Sequence, residues 1–405
     1  MYLIKRSLLV SIWFVLLTLP LLAVKVDTTN ETLIWRWENM LYVAVSAFVL
    51  YMLWLLAMRW RSRQRRSEEL AQPRVHNLYS TITDNKVIVG AFNLTLLAIL
   101  VLLPLLSSGY QINIWTTALI YVILGLGLNI VVGFAGQLVL GYAAFYAVGA
   151  YTFGLLHQNF EVGFWVALPC GAAVAGFFGI LVSLPVIRLR GDYLAIVTLG
   201  FGEITRLVLE NWIEVTNGPG GISNIPRPAL FNLELSDTGT AVWVYYIVLL
   251  FMLIAFISLL RLKNSRVGRS WIAVSEDETA SEVMGINTTW AKLTAFALSA
   301  VWAGIAGVLF ATKTRFINPD SFTFMDSALF LCIVVLGGMG SVYGMLLGAF
   351  AIALLPEYLR AFSEYRMLLF GAAMVLMMIF RPQGLIPPKA RQYRVSKLLG
   401  KEAQS

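Results

Sequence analysis

The chain has 405 residues, 59% of them hydrophobic and 13% charged, with a formal net charge of +8. Soluble domains run near half apolar and about a quarter charged, and here the surplus gathers into blocks of about twenty residues, the length that crosses a bilayer core. This distribution excludes an ordinary soluble core, and in a membrane protein the positive balance reflects loops retained in the cytoplasm rather than nucleic-acid binding. The predicted fold class is all-α, a polytopic helical transmembrane protein of about 12 spans.

In chain order the predicted spans are 7–24, 40–58, 87–107, 112–132, 137–156, 165–187, 192–212, 241–260, 290–312, 326–340, 342–358 and 366–380. The first follows Lys5 and Arg6, as a secretory signal would. Its apolar run, Leu8 to Val24, is long for a signal core, and "LLAVKVD" offers no small-residue cleavage site, so a retained span is expected. The basic linker "RWRSRQRRSEELAQPRVHN" (59–77) closes a two-span N-terminal extension, residues 1–80, with arginines suited to anionic headgroups. A core over 81–388 and a basic tail over 389–405 follow. Placing both termini in the cytoplasm puts most of the 30 lysines and arginines on inner segments. Trp165, Trp212 and Trp243 then mark outer span ends, and Trp60 and Trp290 inner ones. The outer loop, roughly 213–240, contains "NGPGGI", in which Asn217, Gly218, Pro219, Gly220 and Gly221 demand turns. It is long for a mere connector.

Glycines concentrate in three runs: "LGLGLNIVVGFAGQLVLGYAAFYAVGAY" (124–151), "TLGFGEI" (198–204) and "VVLGGMGSVYGMLLGAF" (334–350). Small residues let membrane helices approach closely, and that reading accounts for most of these positions. The other reading is a set of broken helices beside a transport path, since irregular backbone at membrane depth survives only against protein or a wet cavity. It singles out Gly133, Gly136, Gln137 and Gly141 in the first run, Gly200, Gly202 and Glu203 in the second, and Gly337, Gly338 and Gly340 in the third. Glu203 is a carboxylate well inside a span, and an ion pair with Arg206 or Arg188 is its preferred role. Asp192, Asp326 and Lys292 lie nearer span ends.

No catalytic or metal site is expected. The sequence has no GxxxxGK[ST], H-E-x-x-H or G-x-S-x-G. Cys170 and Cys332 sit in apolar blocks, and His76 and His157 form no cluster. Carriers driven by protons or sodium rely on intramembrane acids, which are scarce here. Energy for transport is therefore expected from outside the chain.

The stretch "GRSWIAVSEDETASEVMG" (268–285) interrupts the apolar pattern. Its charges, and Arg261, Lys263 and Arg266 before it, would cost about 2.5–3.5 kcal/mol each at the bilayer centre, so it is not a span. The pattern predicts one helix over 270–284. Ile272, Ala273, Thr279, Ala280, Val283 and Met284 share one side with Glu276 intruding, while Glu278 and Glu282 share the other at i, i+4. Gly285 supplies the stop. Interfacial helices are usually basic on their polar face; this one is acidic and turns toward a protein partner.

These blocks resemble a known family. "GRSWIAVSEDETASEVMGINTTWAKLTAFALSAVWAGIAGVLFA" (268–311), "VVGFAGQLVLGYAAFYAVGAY" (131–151), "LRGDYLAIVTLGFGEITRLVLEN" (189–211), "NGPGGI" (217–222), "VVLGGMGSVYGMLLGA" (334–349) and "RPQGLIPP" (381–388) are similar, in order, to the branched-chain amino acid permeases of ATP-binding-cassette importers. The two leading spans resemble the extension of the larger, M-type subunit. The resemblance implies a permease of the bacterial inner membrane that translocates leucine, isoleucine or valine. Implied partners are a second permease of the family, two cytoplasmic ATPases, a periplasmic amino-acid-binding protein and membrane lipid. ATP and magnesium would be bound by the ATPases, and no cofactor by this chain.

The resemblance makes 268–285 the ATPase-coupling element, with Gly268, Ile272, Glu276, Glu278, Ala280, Glu282 and Gly285 as candidate coupling residues. It makes Asn217 to Gly221 a loop facing the binding protein. The E-A-A-x-x-x-G pattern of other importers is matched only loosely, because Gly285 falls one position late after Glu278-Thr279-Ala280. Two alternatives stay open at this stage: an importer permease for urea, short amides or another small solute, and a secondary transporter. A channel or scaffold is the third class considered.

Overall fold

The computed structural model describes residues 24–27, 32–35, 86–187, 189, 191–228, 237–358, 371, 375 and 384–386. The spans expected at 7–24, 40–58 and 366–380 lie almost wholly outside the described residues, as do the basic linker, the tail, Trp60, His76 and Arg188. The chain divides into two compact units, residues 1–96 and 97–405. In the first, β1 (Val24–Asp27) pairs antiparallel with β2 (Thr32–Trp35), Val24 opposite Trp35 and Asp27 opposite Thr32. Val24, Val26, Thr32 and Ile34 are β-branched residues that suit a pleated strand. This hairpin departs from the all-α expectation, in the stretch between the first two predicted spans.

Helix α1 (Lys86–Leu106) contains the boundary between the units. In the second unit follow α2 (Gly109–Asn129), prolonged by a π-helical turn at Ile130–Phe134, α3 (Tyr142–Phe160), α4 (Phe164–Val186) and α5 (Asp192–Asn211). The short α6 (Ile213–Thr216) leads through a 3-10 turn to α7 (Asp237–Asn264). Next come α8 (Arg266–Glu276), α9 (Glu278–Val283), α10 (Thr288–Thr314), α11 (Phe324–Gly337) and α12 (Val342–Tyr358). Among the described residues, five stretches are long and apolar enough to cross a membrane: Gly109–Phe134, Phe164–Val186, Gly239–Asn264, Thr288–Thr314 and Pro319–Gly337. The protein is a multi-pass membrane protein. Helix α5 carries Asp192, Glu203, Arg206 and Glu210 along an otherwise apolar helix, the composition of a helix that borders a polar interior rather than lipid alone.

Small residues set the core spacing. A Cβ added at Gly149 of α3 would fall on the Gly304 backbone of α10, and one at Gly304 would meet Gly171 and Ala175 of α4. Gly307 lies against the Tyr146 carbonyl in the same way. Lipid gives helices no hydrophobic reason to associate, so contact at backbone distance supplies the attraction through dispersion. Helix α2 is enclosed instead by α7, α10, α11 and α12, buried without interruption from Ala118 to Asn129 except at Tyr121. The enclosed end of α2 leads directly into its π turn.

Candidate functional site

The polar stretch between α7 and α10 forms an elbow of two helices, each started by a side-chain cap. Ser265 Oγ accepts from the Gly268 N–H at 3.1 Å to begin α8, and Asp277 Oδ1 accepts from the Ala280 N–H at 3.0 Å to begin α9. Asn287 Oδ1 accepts from Trp290 N–H at 2.9 Å to begin α10. Each cap satisfies a first-turn N–H that has no partner within its helix. The single helix expected over 270–284 is thus two, because Asp277 adopts an extended backbone (φ −153°, ψ 110°) that an α-helix cannot contain.

Two anchors fix the elbow to the membrane core. Trp271 is 1% exposed, and its indole N–H donates to Thr294 Oγ1 of α10 at 3.2 Å. The Lys292 ammonium, on the first turns of α10, pairs with Glu278 at 2.6 Å and reaches the Ile187 carbonyl after α4 at 3.5 Å. Glu278 is therefore turned inward, away from the acidic face it was expected to share with Glu282. Gly268 is buried, with the Leu262 carbonyl where its Cβ would stand, which holds α8 tight against the end of α7. Ile272 is half-buried; Glu276, Ala280, Glu282 and Gly285 are exposed. Gly285 turns the chain at φ +82°. Val283 and Met284, expected on the apolar side, are 83% and 81% exposed at the tip.

The elbow touches the first break. After the π turn, Gly136 adopts φ +68°, and a Cβ there would lie 2.8 Å from Ser275 Cβ of α8. Gly133 lies against the Asn129 side chain and the Gly340 backbone. Gln137 is buried, its N–H donating to the Val131 carbonyl at 3.0 Å. Between α11 and α12 the second break turns at Gly338 (φ +106°) and Gly340 (φ +80°). Gly337 meets the Gly344 carbonyl, and Gly384 sits on Gly338. The Leu385 N–H donates to the Leu336 carbonyl at 2.8 Å. Positive φ at these glycines is a conformation that other residues reach only with strain.

A third group lies along α5. Arg206 joins Glu203 at 3.1 Å and Glu210 at 2.9 Å in an ion trio on one helix face. Glu203 and Gly202 line a crevice with Thr323, Ser327 and Ala143, where α5 meets the first turns of α3 and α11. The Ser327 hydroxyl accepts from the Ala143 N–H at 2.9 Å, and Thr198 Oγ1 accepts from the Leu140 N–H at 3.1 Å. Gly141 lies against the Thr198 carbonyl and Gly202, so α3 starts in contact with α5. Gly200 faces open space and is not required by packing.

At the other end, Asn217 (φ +61°) donates from Nδ2 to the Gly221 carbonyl at 2.9 Å, and Gly218 and Gly221 also take positive φ. Ile222 and Ile317 exchange backbone hydrogen bonds at 2.9 and 3.0 Å. This pins the turn to the segment after α10 and leaves Asn217, Pro219 and Gly220 exposed.

Residues 110–378 match the family described as branched-chain amino acid transport system / permease component. The chain belongs to this family. The high-affinity branched-chain amino acid transport system permease protein LivM of Salmonella typhimurium is 47% identical over 78% of this chain and 79% of its own length. LivM of Escherichia coli is 42% identical over 94% of this chain and 92% of its own. The high-affinity branched-chain amino acid transport system permease protein LivH of Escherichia coli is 23% identical over 66% of this chain and 91% of its own. No solved structure matches the chain.

In this family member the elbow and the two glycine breaks converge on one end of the helices, while the crevice beside Glu203 lies deeper along α5. Among the described residues no cluster of histidine, cysteine or carboxylates could hold a metal ion. Sequence reasoning missed Asp277 as a cap and Lys263 and Asn129 as parts of the site. A cap aspartate and a mid-helix aspartate carry the same letter in an acidic run, and the lysine reads as one more inner-side charge.

Proposed function

We propose that the chain is the M-type permease subunit of an ATP-driven importer that carries leucine, isoleucine and valine across the bacterial inner membrane. The two LivM relatives above carry that transport system in their names. Its direct companion is a second permease of the LivH kind, and the two share a central path. A periplasmic binding protein delivers the amino acid to the outer turn around Asn217–Gly221, and two cytoplasmic ATPases dock on the elbow. ATP and magnesium belong to those ATPases, and this chain holds no cofactor. Both termini lie in the cytoplasm.

The observation that carries this reading is the contact of α8 with the first break, Ser275 against Gly136. An elbow anchored by Trp271 and Lys292 yet exposed at Glu276, Glu282, Val283 and Met284 presents a surface to a partner. Displacement of that surface bears on broken helices rather than on lipid. The path runs beside α5, where the ion trio and the crevice supply polar groups at membrane depth.

The test is reconstitution of the permease pair with its ATPases and binding protein in liposomes. Uptake of labelled leucine that requires ATP and the binding protein is expected. Uptake by this chain alone, without ATP, would refute the reading. A cargo other than branched-chain amino acids taken up preferentially would keep the importer and change its substrate.

A further inference from the structure

Lys263 lies on the last turn of α7, where inner-side lysines ordinarily extend to lipid headgroups. Here the ammonium turns inward. It donates to the Gly340 carbonyl at 2.9 Å and stands 5.7 Å from the centre of the Phe134 ring in the π turn. The N–H of the same Gly340 donates to Asn129 Oδ1 at 2.8 Å, and Asn129, the last residue of α2, is fully buried. One glycine of the second break is therefore held on both sides of its peptide backbone. Helix α2 holds its N–H, and the end of α7, just before the elbow, holds its carbonyl.

The surrounding groups suit a joint with two arrangements. Gly338 and Gly340 tolerate backbone rotation that other residues resist. Asn129 Nδ2 and Gln137 Oε1 are buried with no hydrogen-bond partner among the described residues. Buried donors and acceptors are normally paired, so an unspent donor and an unspent acceptor give this region polar capacity for another geometry. Two residues, Asn264 and Ser265, separate Lys263 from the start of α8, and Gly268 locks α8 against Leu262. Tilting the elbow must therefore displace the Lys263 backbone.

We propose that Lys263 is a positioning residue for transport: it passes displacement of the elbow to the Gly338–Gly340 break through the Gly340 carbonyl, with Asn129 as the opposing hold. This rests on the reading of the elbow as the ATPase docking site. The opposing account is a static cap that stabilises the fold and has no part in coupling.

The full complex in liposomes separates the two, with leucine uptake and ATP hydrolysis measured in the same vesicles for the native chain, Lys263→Met and Lys263→Arg. Methionine keeps the apolar stem and removes the donor; arginine restores a donor. Expected are an assembled Met complex that still hydrolyses ATP, about tenfold less leucine moved per ATP, a ratio in the range of allosteric couplings, and recovery of most of that loss with arginine. An unchanged ratio overturns the proposal. So does a proportional fall in uptake and hydrolysis, or failure of the Met complex to assemble, since either makes Lys263 a structural cap. If the native complex shows no ATP-dependent uptake, the transport reading itself fails, whatever the variants do.

Discussion

Lys292 shows how one side chain's burial decides its role. Its side chain is 6% exposed and Glu278 is 25% exposed, and the pair joins α9 to α10 at 2.6 Å. Breaking a buried pair strands a charge at a cost of about 3–5 kcal/mol, whereas replacing both partners by apolar groups is often neutral. The partial exposure of Glu278 lowers the first figure here, to about 2 kcal/mol. Lys292→Met alone is therefore expected to lower the melting temperature of the detergent-solubilised protein. The double variant Lys292→Met with Glu278→Leu should recover most of the loss, and equal losses in the two would deny the pair. Of this arrangement the sequence revealed the residues and not their partnership. Glu278 and Glu282 share a spacing on paper, but only Glu278 lies within reach of α10. The pairing of Glu203 with Arg206 was legible, since a three-residue separation on a helix brings the two side chains together.

At the scale of elements, apolar block length located the helices, because a bilayer core demands about twenty apolar residues whatever their order. The blocks expected at 342–358 and 290–312 correspond to Val342–Tyr358 and Thr288–Thr314. The block expected at 137–156 begins instead at Tyr142. "QLVLG" is apolar enough for a helix, yet it runs as the irregular segment between the π turn and α3. Hydropathy registers burial and is blind to backbone conformation. The same blindness hid the division of the elbow at Asp277. That division makes its own prediction: removing the cap with Asp277→Ala should cost about 1 kcal/mol and fray α9 specifically. Hydrogen exchange should speed up at Ala280 and Ser281 and stay unchanged at Trp271 and Val274. Faster exchange along both helices would mean that they form one cooperative unit.

Across the whole molecule, backbone connections constrain the topology without any appeal to charge. Ile222 and Ile317 are bonded to each other, so the turn before α7 and the segment after α10 lie on one side of the membrane. Between them the chain runs out along α7 and back along α10, 28 and 27 residues long. At about 1.5 Å per residue each helix exceeds the roughly 30 Å hydrocarbon core. The elbow between them must then lie on the opposite face from Asn217–Gly221. The lysines and arginines around the elbow are the ground on which we propose that face as the inner one. Single cysteines at Pro219 and Met284, both exposed, test this in a chain whose Cys170 and Cys332 have been replaced by alanine. In intact spheroplasts a membrane-impermeant thiol reagent should label the cysteine at 219 and spare the one at 284, and inverted vesicles should give the reverse. Labelling of both from one side would require α7 or α10 to stop short of crossing, which their length and unbroken apolar character oppose.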